Sequence, residues 1–239
     1  MKLAQYIPLS GFIVNILFAI FVFSRGPRIA ANRVYLVLTL SIATWNLGCY
    51  NLLALPPSAH DSALFWARFV FVGCIIGVVA FFHLAMVIAG FSLGRWIRWL
   101  YGFQFILAAT NFTPLFIRDV HHLGTSGWYA IAGPMFYVFN APFCLMFGSI
   151  FVLWRRRRAL PPWRRKQLTP LIIGQAMLSI LGANDLLPIM GVMYYPIIDV
   201  QVYPWGSLAA VFYGVITAYS VLQYQLLDCL LYTSPSPRD

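Results

Sequence analysis

The chain has 239 residues, 61% of them hydrophobic and only 9% charged, with a formal net charge of +10 and a mean hydropathy of +0.79. That balance excludes a soluble globular domain, which carries about 25% charged residues. The positive excess would point to nucleic acid in a soluble protein, but in so apolar a chain it reads as a topology signal, and no nucleic-acid partner is expected.

Seven apolar stretches follow one another over 6–24, 34–55, 66–89, 97–117, 134–154, 168–190 and 203–222. Each can cross a hydrocarbon core that takes roughly 20 helical residues. They are continuously apolar, whereas barrel strands would alternate over about ten residues. The expected fold class is therefore an all-α membrane protein, a seven-transmembrane helix bundle over residues 1–228. The first stretch is not a cleavable signal peptide: only Lys2 precedes it, Pro8 and Asn15 interrupt it, and Arg25 and Arg28 stop it.

Basic residues gather in alternate loops. Arg25, Arg28 and Arg33 follow the first stretch, Arg95 and Arg98 the third, and Arg155, Arg156, Arg157, Arg158, Arg164, Arg165 and Lys166 the fifth. The opposite loops hold only Lys2, Arg68 and Arg118, together with Asp61, Asp119 and Asp199. The positive-inside rule then predicts an N-terminus outside, a C-terminus in the cytoplasm and a multi-pass protein of the inner (plasma) membrane. The run from Arg155 to Lys166 is expected to touch anionic lipid headgroups.

No glycine-rich phosphate loop, zinc-protease helix or Gly-x-Ser-x-Gly elbow is present. The cytoplasmic loops, about 6 to 14 residues long, are too short for a catalytic domain, so the chain is not expected to be an enzyme. A retinal Schiff base needs a buried lysine, and the only lysines are Lys2 and Lys166, outside the stretches. His83 is the one histidine within a stretch and reads as interhelical glue rather than a haem ligand. His121 and His122 would point to opposite faces of a strand. Cys49, Cys74, Cys144 and Cys229 are far apart, without metal-ligand spacing. Neither a metal nor a cofactor is expected.

The large polar residues of the stretches concentrate on one side. Asn46 and Asn51 in the second, Asn111 in the fourth, Asn140 in the fifth and Asn184 with Asp185 in the sixth all fall in outer halves. Amides and an acid in hydrocarbon are costly unless paired or wetted, so they should face the bundle interior. Asn46, Asn111, Asn140, Asn184 and Asp185 are thus candidate ligand-binding residues around an outward-opening polar cavity. The alternative is that each is separate packing glue. An intramembrane acid makes Asp185 the strongest candidate, although it stands near the outer interface, where it could simply reach water. Residues 118–133, with a turn at Gly124–Gly127 between strand-like runs, predict a small hairpin lid. Tyr194, Tyr195, Tyr203 and Trp205 read as an interfacial aromatic belt, or secondarily as a cap over the cavity.

Past Ser220 the last stretch continues as VLQYQLLD, with Leu222, Leu226 and Leu227 at helical spacing, as in the start of a coiled-coil stalk. Residues 229–239 (CLLYTSPSPRD) change composition at once and read as a non-native read-through tail, the natural chain continuing beyond Asp228; the alternative is a genuine disordered tail.

The order and spacing of several short features resemble the seven-transmembrane N-terminal sensor region of bacterial histidine kinases. They are Asn32-Arg33 opening helix two, with Trp45 and Gly48 inside it, and Trp66 and Arg68 opening helix three. Arg164 and Gln167 precede helix six, and Leu187-Pro188, Gly191 and Tyr195-Pro196 follow it. The exit Ala218-Tyr219 with Tyr224, Leu226, Leu227 and Asp228 is the closest match. The resemblance implies a membrane-embedded sensory input domain that senses a small ligand or a membrane stimulus. Tyr219, Leu222, Tyr224, Leu226, Leu227 and Asp228 would pass the signal to a cytoplasmic output, a homodimeric histidine kinase. Alternatives are the input domain of another output such as a diguanylate cyclase, a small seven-helix transporter or channel, or a purely structural membrane partner. Seven crossings do not divide into the equal halves common in transporters.

Overall fold

A computed structural model of the protein describes residues 5–123, 127–160, 162–195, 197, 199–202 and 205–233. Seven α-helices are found among them: α1 (Tyr6–Ser24), α2 (Ala30–Ala54), α3 (His60–Ile88), α4 (Trp96–Thr110), α5 (Pro134–Arg158), α6 (Pro162–Leu186) and α7 (Gly206–Thr233). A hairpin of β1 (Ile117–His122) and β2 (Trp128–Ala132) stands between α4 and α5. By length and composition α1, α2, α3, α5 and the segment Leu168–Met190 can each cross a bilayer. Leu17, Ile20, Phe105, Phe151, Ile173 and Ile180 are exposed on these and neighbouring helices, as in side chains that meet lipid tails rather than water. The chain is a membrane helical bundle.

Two features depart from an all-helical chain of seven long spans. The first is the antiparallel hairpin itself, paired from Asp119 opposite Ile131 to His122 opposite Trp128 with an irregularity between Ile117 and Asp119. It fulfils the expectation for residues 118–133, and all-α describes the bundle but not this element.

The second is α4, which ends at Thr110 instead of running to residue 117. Its 15 residues rise about 22 Å, short of a hydrocarbon core of roughly 30 Å. Pro114 has no N–H and disfavours helix at Thr113, so hydropathy alone overran the break. The Thr110 hydroxyl donates to Leu107 O and the Thr113 hydroxyl to Thr110 O, closing the turn into β1.

Helix packing depends on close backbone approach, the usual means of association where lipid removes the hydrophobic drive. At Gly73 of α3 an added Cβ would overlap Ser41 O of α2 and stand 2.9 Å from Trp45 N. The bundle centre holds Tyr35, Phe81 and Tyr213, fully buried. Phe81 stacks on Tyr213 at 5.1 Å between centroids, and the Tyr35 hydroxyl donates to Gly214 O at 3.1 Å. These contacts join α2, α3 and α7. Phe71, Phe116, Phe136 and Phe139 form a second aromatic cluster, with Phe71 and Phe136 edge to face at 5.4 Å. That cluster seats the base of the hairpin on α3 and α5.

At the arginine-rich end, side chains tie loops as well as facing solvent. Arg157 Nε donates to Thr169 Oγ1 at 2.9 Å and Arg165 Nε to Leu160 O at 2.6 Å, joining α5 to α6. The Arg158 guanidinium lies 3.6 Å from the Trp154 ring centroid. Arg155, Arg156, Arg158, Arg165 and Lys166 are exposed.

Candidate functional site

A cavity of about 160 Å³ opens inside the bundle at the hairpin end. Its α2 wall is Ile42, Trp45 and Cys49, three residues whose 3- and 4-residue steps put them on one helix face. Val70 and Cys74 face them from α3, and Trp128 with Tyr129 closes the hairpin side. From α6 come Gly182 and Asp185, and from α7 Ser207. Apart from Ser41 of α2, the walls are otherwise mainly aliphatic and aromatic. Asp185 is the one carboxyl among the lining residues.

The Asp185 carboxyl does more than line a wall. Its two oxygens accept the Gly206 N–H at 3.0 and 3.1 Å, and the Trp205 N–H also reaches it. Gly206 is the first residue of α7. The opening N–H groups of a helix lack intrahelical partners, and a negative group at that end complements the helix dipole. Asp185 therefore caps α7 from α6, as an N-cap side chain would from within one helix. Glycine is needed at 206 because a Cβ there would overlap Asp185 Oδ2 and come within 2.6 Å of the Trp45 ring. The Cys49 thiol is in hydrogen-bond contact with the Ser207 and Trp45 side chains, so the start of α7 also touches α2.

The remaining candidate residues do other work. Asn46 is buried and its Nδ2 donates to Ile42 O at 2.9 Å, with Gly11 of α1 packed against the amide. Asn51 likewise donates to Leu47 O. Asn111 is the residue after α4, not within it, and donates to Arg68 O at 2.5 Å. Arg68 in turn donates to Ile117 O at 3.3 Å, so the pair joins α3, the end of α4 and β1. Asn140 is half-buried on α5 beside Phe139 but does not line this cavity. Asn184 accepts from the Tyr195 hydroxyl and donates to Asp185 Oδ1 at 3.5 Å. The expected polar cavity is thus an apolar one with its polar groups gathered at Asp185.

His83 meets the Tyr101 hydroxyl at 3.3 Å across α3 and α4, an interhelical bond. Cys49 and Cys74 are half-buried free thiols at the cavity, while Cys144 is exposed. Among the described residues no group of three potential ligands could hold a metal ion. Tyr219 is exposed on α7. For Leu222, Tyr224, Leu226, Leu227 and Asp228 the helical backbone is described, and their side chains lie outside the described part, as do those of Arg164 and Gln167. Residues 234–239 of the expected tail also lie outside it.

The hairpin is fastened over the site. Trp128 Nε1 donates to Pro56 O at 3.2 Å and the His60 ring meets Asp119 Oδ1 at 2.8 Å. Hydrogen bonds from the Val120 N–H and then the His60 ring hold the Asp119 carboxyl below the usual carboxylate range.

Sequence reasoning missed Trp45, Cys49, Gly182 and Ser207 as lining residues. The stripe Ile42, Trp45, Cys49 was readable as one face of a helix, but which neighbour that face meets is a tertiary fact.

A family model described as the N-terminal 7TM region of histidine kinase matches residues 7–230. The chain belongs to this family. A comparison with curated proteins gives no match. As a histidine-kinase 7TM region it is a membrane sensory input module, and the family itself contains no catalytic domain. The features that resembled the family have physical roles here. Asn32 Nδ2 donates to Val22 O and Gly26 O at 3.1 and 3.0 Å, satisfying carbonyls at the end of α1. Leu187-Pro188 opens a 3₁₀ turn that ends at Gly191, whose φ of 94° is left-handed backbone open to glycine.

Proposed function

We propose that this histidine-kinase 7TM region receives its stimulus in the cavity at the hairpin end and relays it through α7. The observation that carries the reading is the double position of Asp185: it lines the cavity and its carboxyl accepts the first N–H of α7. A ligand that competes for the carboxyl, or presses on it, has different affinity for the capped and uncapped starts of α7, and only such a difference can shift a conformational equilibrium. The shift then travels along one continuous helix from Gly206 to Thr233.

In this reading the chain crosses the membrane seven times, the fourth crossing made by the short α4 together with the turn that follows it, with its N-terminus outside and its C-terminus in the cytoplasm of an inner-membrane protein. The arginine distribution supports that orientation. The exposed Arg155, Arg156, Arg158 and Lys166 then meet anionic headgroups. The parent protein is a histidine kinase whose cytoplasmic output forms a homodimer, and Tyr219 to Asp228 carry the shift to it.

The test is a fusion of residues 1–228 to a histidine-kinase transmitter in nanodiscs, read by autophosphorylation. Asp185→Asn is expected to change basal phosphorylation at least threefold, whereas Asn140→Ala, away from the cavity, leaves it unchanged. Equal output from Asp185→Asn and the unmodified fusion would remove the relay.

A further inference from the structure

The cavity has a size, a wall chemistry and one functional end, and together these specify a class of ligand. An enclosed space of about 150 Å³ lined by aliphatic and aromatic side chains is known to take up a benzene-sized molecule. The space here is close to that, about 160 Å³. The space is partly open, so the volume describes the part of an occupant held inside, about one ring or a chain of about six to eight non-hydrogen atoms.

The space is built into the helices. Gly182 of α6 is buried and lines the cavity, yet an added Cβ there would meet nothing within 4 Å. By contrast, Cβ atoms at Gly48, Gly73 and Gly206 would each overlap a neighbour. Gly182 therefore does not serve close helix packing; its missing side chain leaves room.

The functional end is Asp185. Oxygen lone pairs of a carboxyl can take about four hydrogen bonds. The Gly206 N–H is shared between both oxygens and the Trp205 N–H also reaches the group, while the Asn184 contact, at 3.5 Å, is the long one that an incoming donor would replace. Ser207 and Cys49 beside it are already in contact with each other.

We infer that the cavity binds a small, mostly apolar molecule of about one ring carrying a single hydrogen-bond donor, a hydroxyl or an amine, with the apolar body between α2 and α3 and the donor on the Asp185 carboxyl. This rests on the reading of the cavity as the sensory site, and it names the chemistry that site selects. A purely apolar molecule of the same shape would fill the space and leave Asp185 untouched. The donor confers selectivity, because an analogue that lacks it leaves a desolvated carboxyl oxygen without that bond, a loss of roughly tenfold in affinity.

The test uses the chain in phosphatidylcholine nanodiscs with two probes of nearly equal shape, 4-fluorophenol and 4-fluorotoluene. Saturable binding is followed by fluorine NMR, with partition into empty nanodiscs subtracted. The phenol is expected to bind about tenfold more tightly. Gly182→Leu fills the space and is expected to abolish saturable binding of both probes. Gly182→Ala, which removes less volume and favours helix, is expected to weaken both severalfold; it keeps the test decisive should the leucine variant misfold. Asp185→Asn is expected to cut the preference for the phenol at least threefold. Equal affinity of the two probes, undiminished binding in the glycine variants, or an unchanged preference in Asp185→Asn overturns the inference. Probe binding that leaves phosphorylation of the fusion unchanged would reject the relay while keeping the site. A response to Asp185→Asn without any saturable probe binding would reject the site while keeping the relay.

Discussion

At the scale of single residues, polar side chains in this bundle divide into those that close backbone ends and the one that also meets open space. Asn32 accomplishes the first task by donating to carbonyls at the end of α1, and Asn111, just past α4, donates to Arg68 O within α3. Each such bond is worth about 1 kcal/mol net, and in membranes often less. Asp185 satisfies α7 in the same way but from another helix, and it does so at a cavity wall. Gly206→Ala is therefore expected to displace the carboxyl and lower the unfolding free energy by about 1–2 kcal/mol, the cost of a lost cap. Thermal unfolding in detergent checks this. Gly182→Ala should raise stability slightly, since its Cβ meets open space and alanine is the better helix former by about 1 kcal/mol. Equal effects of the two substitutions would contradict the assigned difference between a packed and an open glycine.

At the scale of elements, the hairpin and α4 show how local chemistry redirects an apolar stretch. Pro114 ends helical structure before hydropathy does, and the chain uses the freed residues to reach β1. The hairpin is then fixed by Trp128 on Pro56, by His60 on Asp119 and by the phenylalanine cluster at its base. Because Asp119 has its folded pKa depressed, its contribution is present at neutral pH, above the unfolded value. That contribution is lost as pH falls through the lowered value. The expected outcome is a hairpin edge that loosens only below the ordinary carboxylate range, an acid transition that is absent in Asp119→Asn, whose amide has no proton to gain. Chemical shifts of the Val120 amide against pH would show it; an Asp119→Asn protein with the same profile would refute the attachment. Between α2 and α3, Gly73→Leu should destabilise the bundle by several kcal/mol, because it must separate two backbones in contact. The same unfolding measurement serves.

At the scale of the whole molecule, arginine placement and the number of crossings together decide where α7 ends. Reporter fusions at residue 5 and residue 228 are expected on opposite sides of the membrane; activity of both on one side would undo the relay to a cytoplasmic output. The membrane bundle was legible in the sequence, because hydropathy acts residue by residue and needs no partner. The hairpin was legible for the same reason, since its glycines and alternation are local. Polar residues within apolar stretches are readable in the sequence, yet their position along a helix does not tell a cavity from packing. Asn46 and Asn140 stand in the same half of the bundle as Asp185, and only Asp185 meets the cavity.

The sequence by itself determined a membrane bundle, the order of its helices and the family to which it belongs, since these follow from apolar runs and short features along one chain. The tertiary structure alone decided that Asp185 caps a helix other than its own and that Gly182 borders empty space. Each of those depends on which helix faces meet, and faces meet through the packing of the whole bundle.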